Sequence, residues 1–69
     1  MSVYRVTEII GTSKSSWEDA AREALWAASS SLRDLRVAEV ADQDLVIENG
    51  KVTAYRTKLK VSFKYHGEE

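Results

Sequence analysis

Asp42, Gln43 and Asp44 stand together in the chain, with Glu48 and Asn49 a few residues on. In an extended strand, residues two apart point to the same side, so the carboxylates of Asp42 and Asp44 can converge on a cation. Ligands that are all oxygen select Ca²⁺ or Mg²⁺. The full EF-hand loop is absent. Asp42, Asp44 and Glu48 are therefore a candidate metal set, and the alternative reading is a row of surface acids that holds no metal. Other chemistry is hard to assemble. His66 is the single histidine, and it has no evident carboxylate or nucleophile partner. Cysteine is absent, which removes thiolate catalysis, thiolate zinc sites and disulfides. Ser13 and the run Ser29-Ser30-Ser31 have no adjacent base. The three glycines are isolated, so no phosphate-cradling loop forms. Without a nucleophile–base pair or a catalytic metal set, the chain is expected not to be an enzyme.

The elements that must position these residues are legible from periodicity. Tyr4 to Ile10 is rich in β-branched residues and reads as a strand, broken by Gly11-Thr12-Ser13-Lys14. Ser15 to Glu18 fits a capping box, and Ser16 is an equally good cap. A helix is predicted from Trp17 to Arg33, with Trp17, Ala21, Ala24, Ala28, Leu32 and Leu35 on one stripe. Trp26 falls on the opposite, polar face, where burial by another subunit is the favoured explanation for so large an apolar ring. Val37 to Ile47 and Val52 to Tyr65 read as second and third strands, joined by an Asn49-Gly50 turn. A two-residue turn pairs Glu48 with Lys51. Glu39 then faces Lys60, Val40 faces Leu59, Ala38 faces Val61, Ala41 faces Lys58 and Gln43 faces Arg56, unless a bulge intervenes. Thr57, Leu59, Val61 and Phe63 take the helix-covered side, while Arg56, Lys58, Lys60 and Lys64 take the other. The second strand and turn are purely acidic and the third strand purely basic, which favours their pairing. The implied fold is a small α+β domain spanning residues 1–69, a β-α-β-β unit with a three-stranded antiparallel sheet packed on one helix. The third strand lies between the other two.

Length and charge add limits. The chain has 69 residues, enough for one domain. Ten basic and eleven acidic residues leave a net charge of −1, so the global basic footprint of a nucleic-acid binder is missing. No run reaches the ~18 apolar residues of a membrane span and no signal-peptide core is present, so a cytoplasmic location and no membrane partner are expected. A domain this small, without disulfides, rarely gains more than a few kcal/mol from its own core, so a homo-oligomer is expected.

The stretches Tyr4–Ser13, Ser16–Ala21, Val37–Val40 and Tyr55–Phe63 together resemble the dodecin family over almost the whole chain. The resemblance implies the β-α-β-β fold already inferred, a hollow shell of twelve copies, and binding of small ligands, typically flavins held in pairs between aromatic rings at two-fold axes. The flavin-stacking tryptophan of the family falls on Val37, which has no π-face. The glutamine that meets the isoalloxazine edge falls on Arg56, which donates but cannot accept. An arginine found in many bacterial members falls on Asp44. The segments Met1–Tyr4, Ile9–Ser13, Ser16–Glu18, Gln43-Asp44 and Lys58-Leu59 are closer to the branch called calcium dodecin, which implies bound Ca²⁺. The expected function is a homododecameric binding or storage protein for Ca²⁺. The alternatives are a flavin-binding dodecin (riboflavin or FMN) and a shell or interaction module with no ligand of its own.

Overall fold

The computed structural model describes residues 2–30 and 35–64. The chain runs β1 (Tyr4–Ser13), α1 (Trp17–Ser29), β2 (Leu35–Glu48) and β3 (Lys51–Lys64). The sheet is antiparallel in the order β1-β3-β2, as the hairpin and the charge pattern require. β1 does not stop at Gly11. It keeps pairing through Gly11–Thr57, Thr12–Arg56 and Ser13–Tyr55, because small residues here bring the chain under the helix without leaving the ladder.

Gly11 sets the helix–sheet distance. A Cβ there would collide with the carbonyl oxygen of Ala20 and stand 2.9 Å from the Cβ of Ala24. The buried side of α1 is accordingly Ala20, Ala24 and Ala28, which recur every four residues. The stripe expected from the sequence held Ala24 and Ala28 but omitted Ala20, and Ala21 packs beside them against the core. Small side chains let the backbones approach, and Leu59 and Val61 of β3 fill what remains, at 1% and 0% exposure. Leu32 and Arg33, the end of the expected helix, lie outside the described residues; α1 ends at Ser29 with Ser30 as its C-cap.

The β1–α1 corner is fixed by short polar side chains. Ser16, not Ser15, is the N-cap, and its Oγ accepts from the Asp19 amide at 3.0 Å. Ser13 Oγ donates to Asp19 Oδ2 at 2.8 Å and accepts from the Ser15 amide at 2.9 Å. Glu18 and Asp19 also place negative charge at the positive end of the helix dipole.

The hairpin pairs Glu48 with Lys51 across Asn49 and Gly50, both at positive φ (52° and 77°), as an Asn-Gly turn requires. Beyond it the register shifts twice. Thr53 is an extra residue on β3, so Asp44 faces Arg56 and Gln43 faces Thr57. Ala41 is an extra residue on β2, which returns Val40 to Leu59, Glu39 to Lys60 and Ala38 to Val61. The expected pairs Gln43–Arg56 and Ala41–Lys58 are thus corrected, while the pairs outside the two bulges stand. A third shift follows Leu35. No helix among the described residues is long and apolar enough to cross a membrane.

Gly11→Ala should destabilise the chain by at least about 2 kcal/mol, because the new methyl meets helix backbone that cannot retreat without opening the core. Chemical denaturation followed by far-UV circular dichroism measures it, with Gly50→Ala as a comparison whose cost comes from positive φ alone.

Candidate functional site

The face of the sheet turned away from α1 carries β3 as a column of cations between two columns that bear acids. Lys60 lies between Glu8 and Glu39, Lys58 between Ile10 and Asp42, and Arg56 between Thr12 and Asp44. Lys58 Nζ reaches Glu8 Oε1 at 3.8 Å. The tightest contact is between Arg56 and Asp44. Arg56 Nε donates to Asp44 Oδ1 at 2.7 Å and its terminal NH2 donates to Oδ2 at 2.8 Å. This is the fork-on-fork geometry that planar guanidinium and carboxylate groups favour. The bulge at Thr53 makes it possible by bringing Asp44, rather than Gln43, opposite Arg56.

Asp44 is also held from its backbone. The indole Nε1 of Trp17 donates to the Asp44 carbonyl at 3.1 Å. Trp17 packs edge-on against Tyr55, with ring centroids 5.2 Å apart, and its own carbonyl accepts from the buried Thr57 hydroxyl at 2.9 Å. The first turn of α1 therefore anchors β2 and β3 together at the level of the ion pair. Sequence reasoning placed Trp17 on the core stripe and missed this role; its indole N–H, a donor that seeks a partner when packed, was the available signal.

A shallow groove of about 190 Å³ lies over the pair, lined by Ile10, Asp42, Gln43, Asp44, Arg56 and Lys58. The structure thus brings Asp42, Asp44 and Arg56 together. Val37 and Glu48 lie elsewhere. Val37 is opposite Ser62, six residues along β3 from Arg56, or about 20 Å at strand rise. Its side chain is 63% exposed and lines a separate groove with Leu25 and Leu35. Glu48 sits at the hairpin turn opposite Lys51.

The donors of a single chain fit a Ca²⁺ ion only in part. Ca²⁺ takes about six to eight oxygens. Both Oδ atoms of Asp44 already accept from Arg56, and Asp42 faces Lys58. Among the described residues no three of His, Asp and Glu gather closely enough to hold a metal ion. For a flavin, Val37 supplies no ring to stack on and the Arg56 guanidinium offers donors only.

A family model described as Dodecin matches residues 3–66. The calcium dodecin of Mycobacterium tuberculosis is 57% identical over 65 residues, which cover 93% of this chain and 90% of that protein. A crystal structure of calcium dodecin from M. tuberculosis, described as a calcium chelating immunodominant antigen with a novel calcium-binding site, matches with a TM-score of 0.83 and 51% identity, over 99% of this chain and 97% of that one. The dodecin of Streptomyces coelicolor matches with a TM-score of 0.89 at 37% identity, over 97% and 96% of the two chains. Backbone likeness does not follow sequence likeness across these two, so side chains and not the fold distinguish them.

The ion pair carries a pH signature. The hydrogen bond from Arg56 is the main cause that holds the Asp44 carboxyl below its ordinary value of 3.8, and the same bond raises Arg56. A depressed carboxyl contributes stability that is present above its unfolded value and is lost as pH falls through the folded one. Acidification from pH 5 to below ~3.8 should therefore lower the melting temperature more in the wild type than in Asp44→Asn, with the two profiles parallel above that window. Thermal melts at constant ionic strength measure the difference.

Proposed function

The chain belongs to the dodecin family, and from that premise we propose that it is a non-enzymatic, homododecameric protein that binds or stores a small ligand, with Ca²⁺ taken in place of a flavin. The observation that carries this reading is the Arg56–Asp44 ion pair. Where the family presents a flavin-facing amide, this chain has a guanidinium with two donors already committed to a carboxylate. Where it presents a stacking tryptophan, this chain has Val37. The same face displays Asp42 and Asp44 beside one groove. Copies from neighbouring subunits supply the oxygens that one chain lacks, as symmetry axes permit. Greater sequence likeness to calcium dodecin than to the Streptomyces protein supports the same choice.

Assembly follows from the size of the core. The buried hydrophobic residues are Ala20, Ala24, Ala28, Leu59 and Val61, while Val6, Val37, Val40, Ile47 and Trp26 are more than half exposed. At roughly 25 cal/mol per Å², that apolar area favours association. Trp26, at 80% exposure on the polar side of α1, is the largest of these surfaces.

Light scattering should give a mass near twelve times the 7.8 kDa chain, and Trp26→Ala should shift the population toward smaller species at micromolar concentration. A monomer or dimer for the wild type would overturn the dodecamer.

Ca²⁺ at fixed ionic strength should raise the melting temperature of the wild type relative to chelator-treated protein; saturation at a hundred times Kd corresponds to about 2.7 kcal/mol per site. Asp42→Asn, which leaves Arg56–Asp44 intact, should weaken the response, and Asp42→Asn with Asp44→Asn should abolish it. An unchanged response in the double variant would move the site to other acids. Tight stoichiometric binding of riboflavin, read from quenching of its fluorescence, would overturn the flavin half of the reading.

A further inference from the structure

We propose that Asp44 acts as a built-in anion that sets the selectivity of the groove. By occupying the fork of Arg56, it makes a site that would bind phosphate or carboxylate ligands into one that rejects them. The inference rests on the reading of this groove as the ligand site.

The argument is geometric. Arg56 and Lys58 are two cations on one side of β3, both lining the groove. A guanidinium with an exposed edge is a bidentate receptor for phosphate and carboxylate oxygens. Asp44 presents two oxygens to that edge at 2.7 and 2.8 Å, the arrangement such a ligand would adopt. An entering anion must displace Asp44 from the Nε edge of the guanidinium or take only its outer edge, and in either case it lies against the charges of Asp44 and Asp42. The Asp44 backbone is held by the Trp17 indole on its carbonyl, and the bulge at Thr53 sets it opposite Arg56. A substitution of the Asp44 side chain leaves the indole hydrogen bond intact, so the groove survives while its charge changes.

The test uses the full chain in its assembled state, with inorganic phosphate as the probe and isothermal titration as the readout. The wild type should take up phosphate weakly or not at all. Asp44→Asn and Asp44→Ala should each bind it at least about tenfold more tightly, the scale of a charge-assisted bidentate contact. Addition of Arg56→Gln to either variant should remove the gain. Addition of Arg56→Lys, which keeps the charge but loses the fork, should leave less than half of it. The proposal is overturned if both Asp44 variants, folded by circular dichroism and of unchanged mass, bind phosphate no more tightly than the wild type, or if the gain persists with Gln at position 56. Ca²⁺ titration of the wild type reports separately on the proposed function. Phosphate gain in the Asp44 variants with no Ca²⁺ response in the wild type would keep the role of Asp44 and remove the Ca²⁺ reading.

Discussion

The contact of Gly11 with the Ala20–Ala24 stretch of α1 is the constraint from which the rest follows. Backbone there meets backbone, and no side chain larger than a methyl separates the two elements. With the helix so close to β1, its N-terminal turn reaches across β3 as well. Trp17 can then meet Tyr55, accept the Thr57 hydroxyl at its carbonyl, and extend its indole to the Asp44 backbone. The ion pair on the far side of the sheet is thus positioned by packing on the near side. Thr57, fully buried and polar, is satisfied by that arrangement, which is why it is tolerated next to Leu59 and Val61.

The opposite side of the sheet follows a different logic. A central basic strand between two strands that carry acids gives each cation a cross-strand neighbour of opposite charge at several levels. Most such exposed pairs contribute little to stability. Their effect is to fix register and to leave a surface with both signs of charge, on which one well-formed fork stands out. The charge that the groove presents depends less on how many ionised groups line it than on which of them are already paired.

Much of this was legible in the sequence. The Asn49-Gly50 turn gave the hairpin, the acid–base asymmetry gave its pairing, and alternation gave Thr57, Leu59 and Val61 as the covered set. What was not legible had local causes. A strand signal has a period of two and does not mark where an extra residue is inserted, so the shift at Thr53 moved Asp44 rather than Gln43 onto Arg56 and the shift at Ala41 restored the register beyond it. Ser16 and Ser15 offered equal caps, and the bond from the Asp19 amide to Ser16 Oγ decides between them. The expected helix stripe held Ala24 and Ala28 and omitted only Ala20 among the buried residues, which the close approach at Gly11 brings against the sheet. The resemblance to dodecins came from whole stretches of sequence, and the distances that define the groove came only with the fold.

The two bulges have an evolutionary consequence. They act like a pair of compensating frameshifts. Between them Asp42 to Val46 is read one step out of phase with the rest of the hairpin, and outside them the original phase returns. Because each is the extra residue of its bulge, loss of Ala41 or of Thr53 would straighten the strand there and leave the pairs on either side in register. Loss of both would leave a regular hairpin with Asp44 still opposite Arg56 and Asp42 still opposite Lys58. A single lineage could therefore lose either bulge, and the local twist it adds, without giving up the acidic lining of the groove.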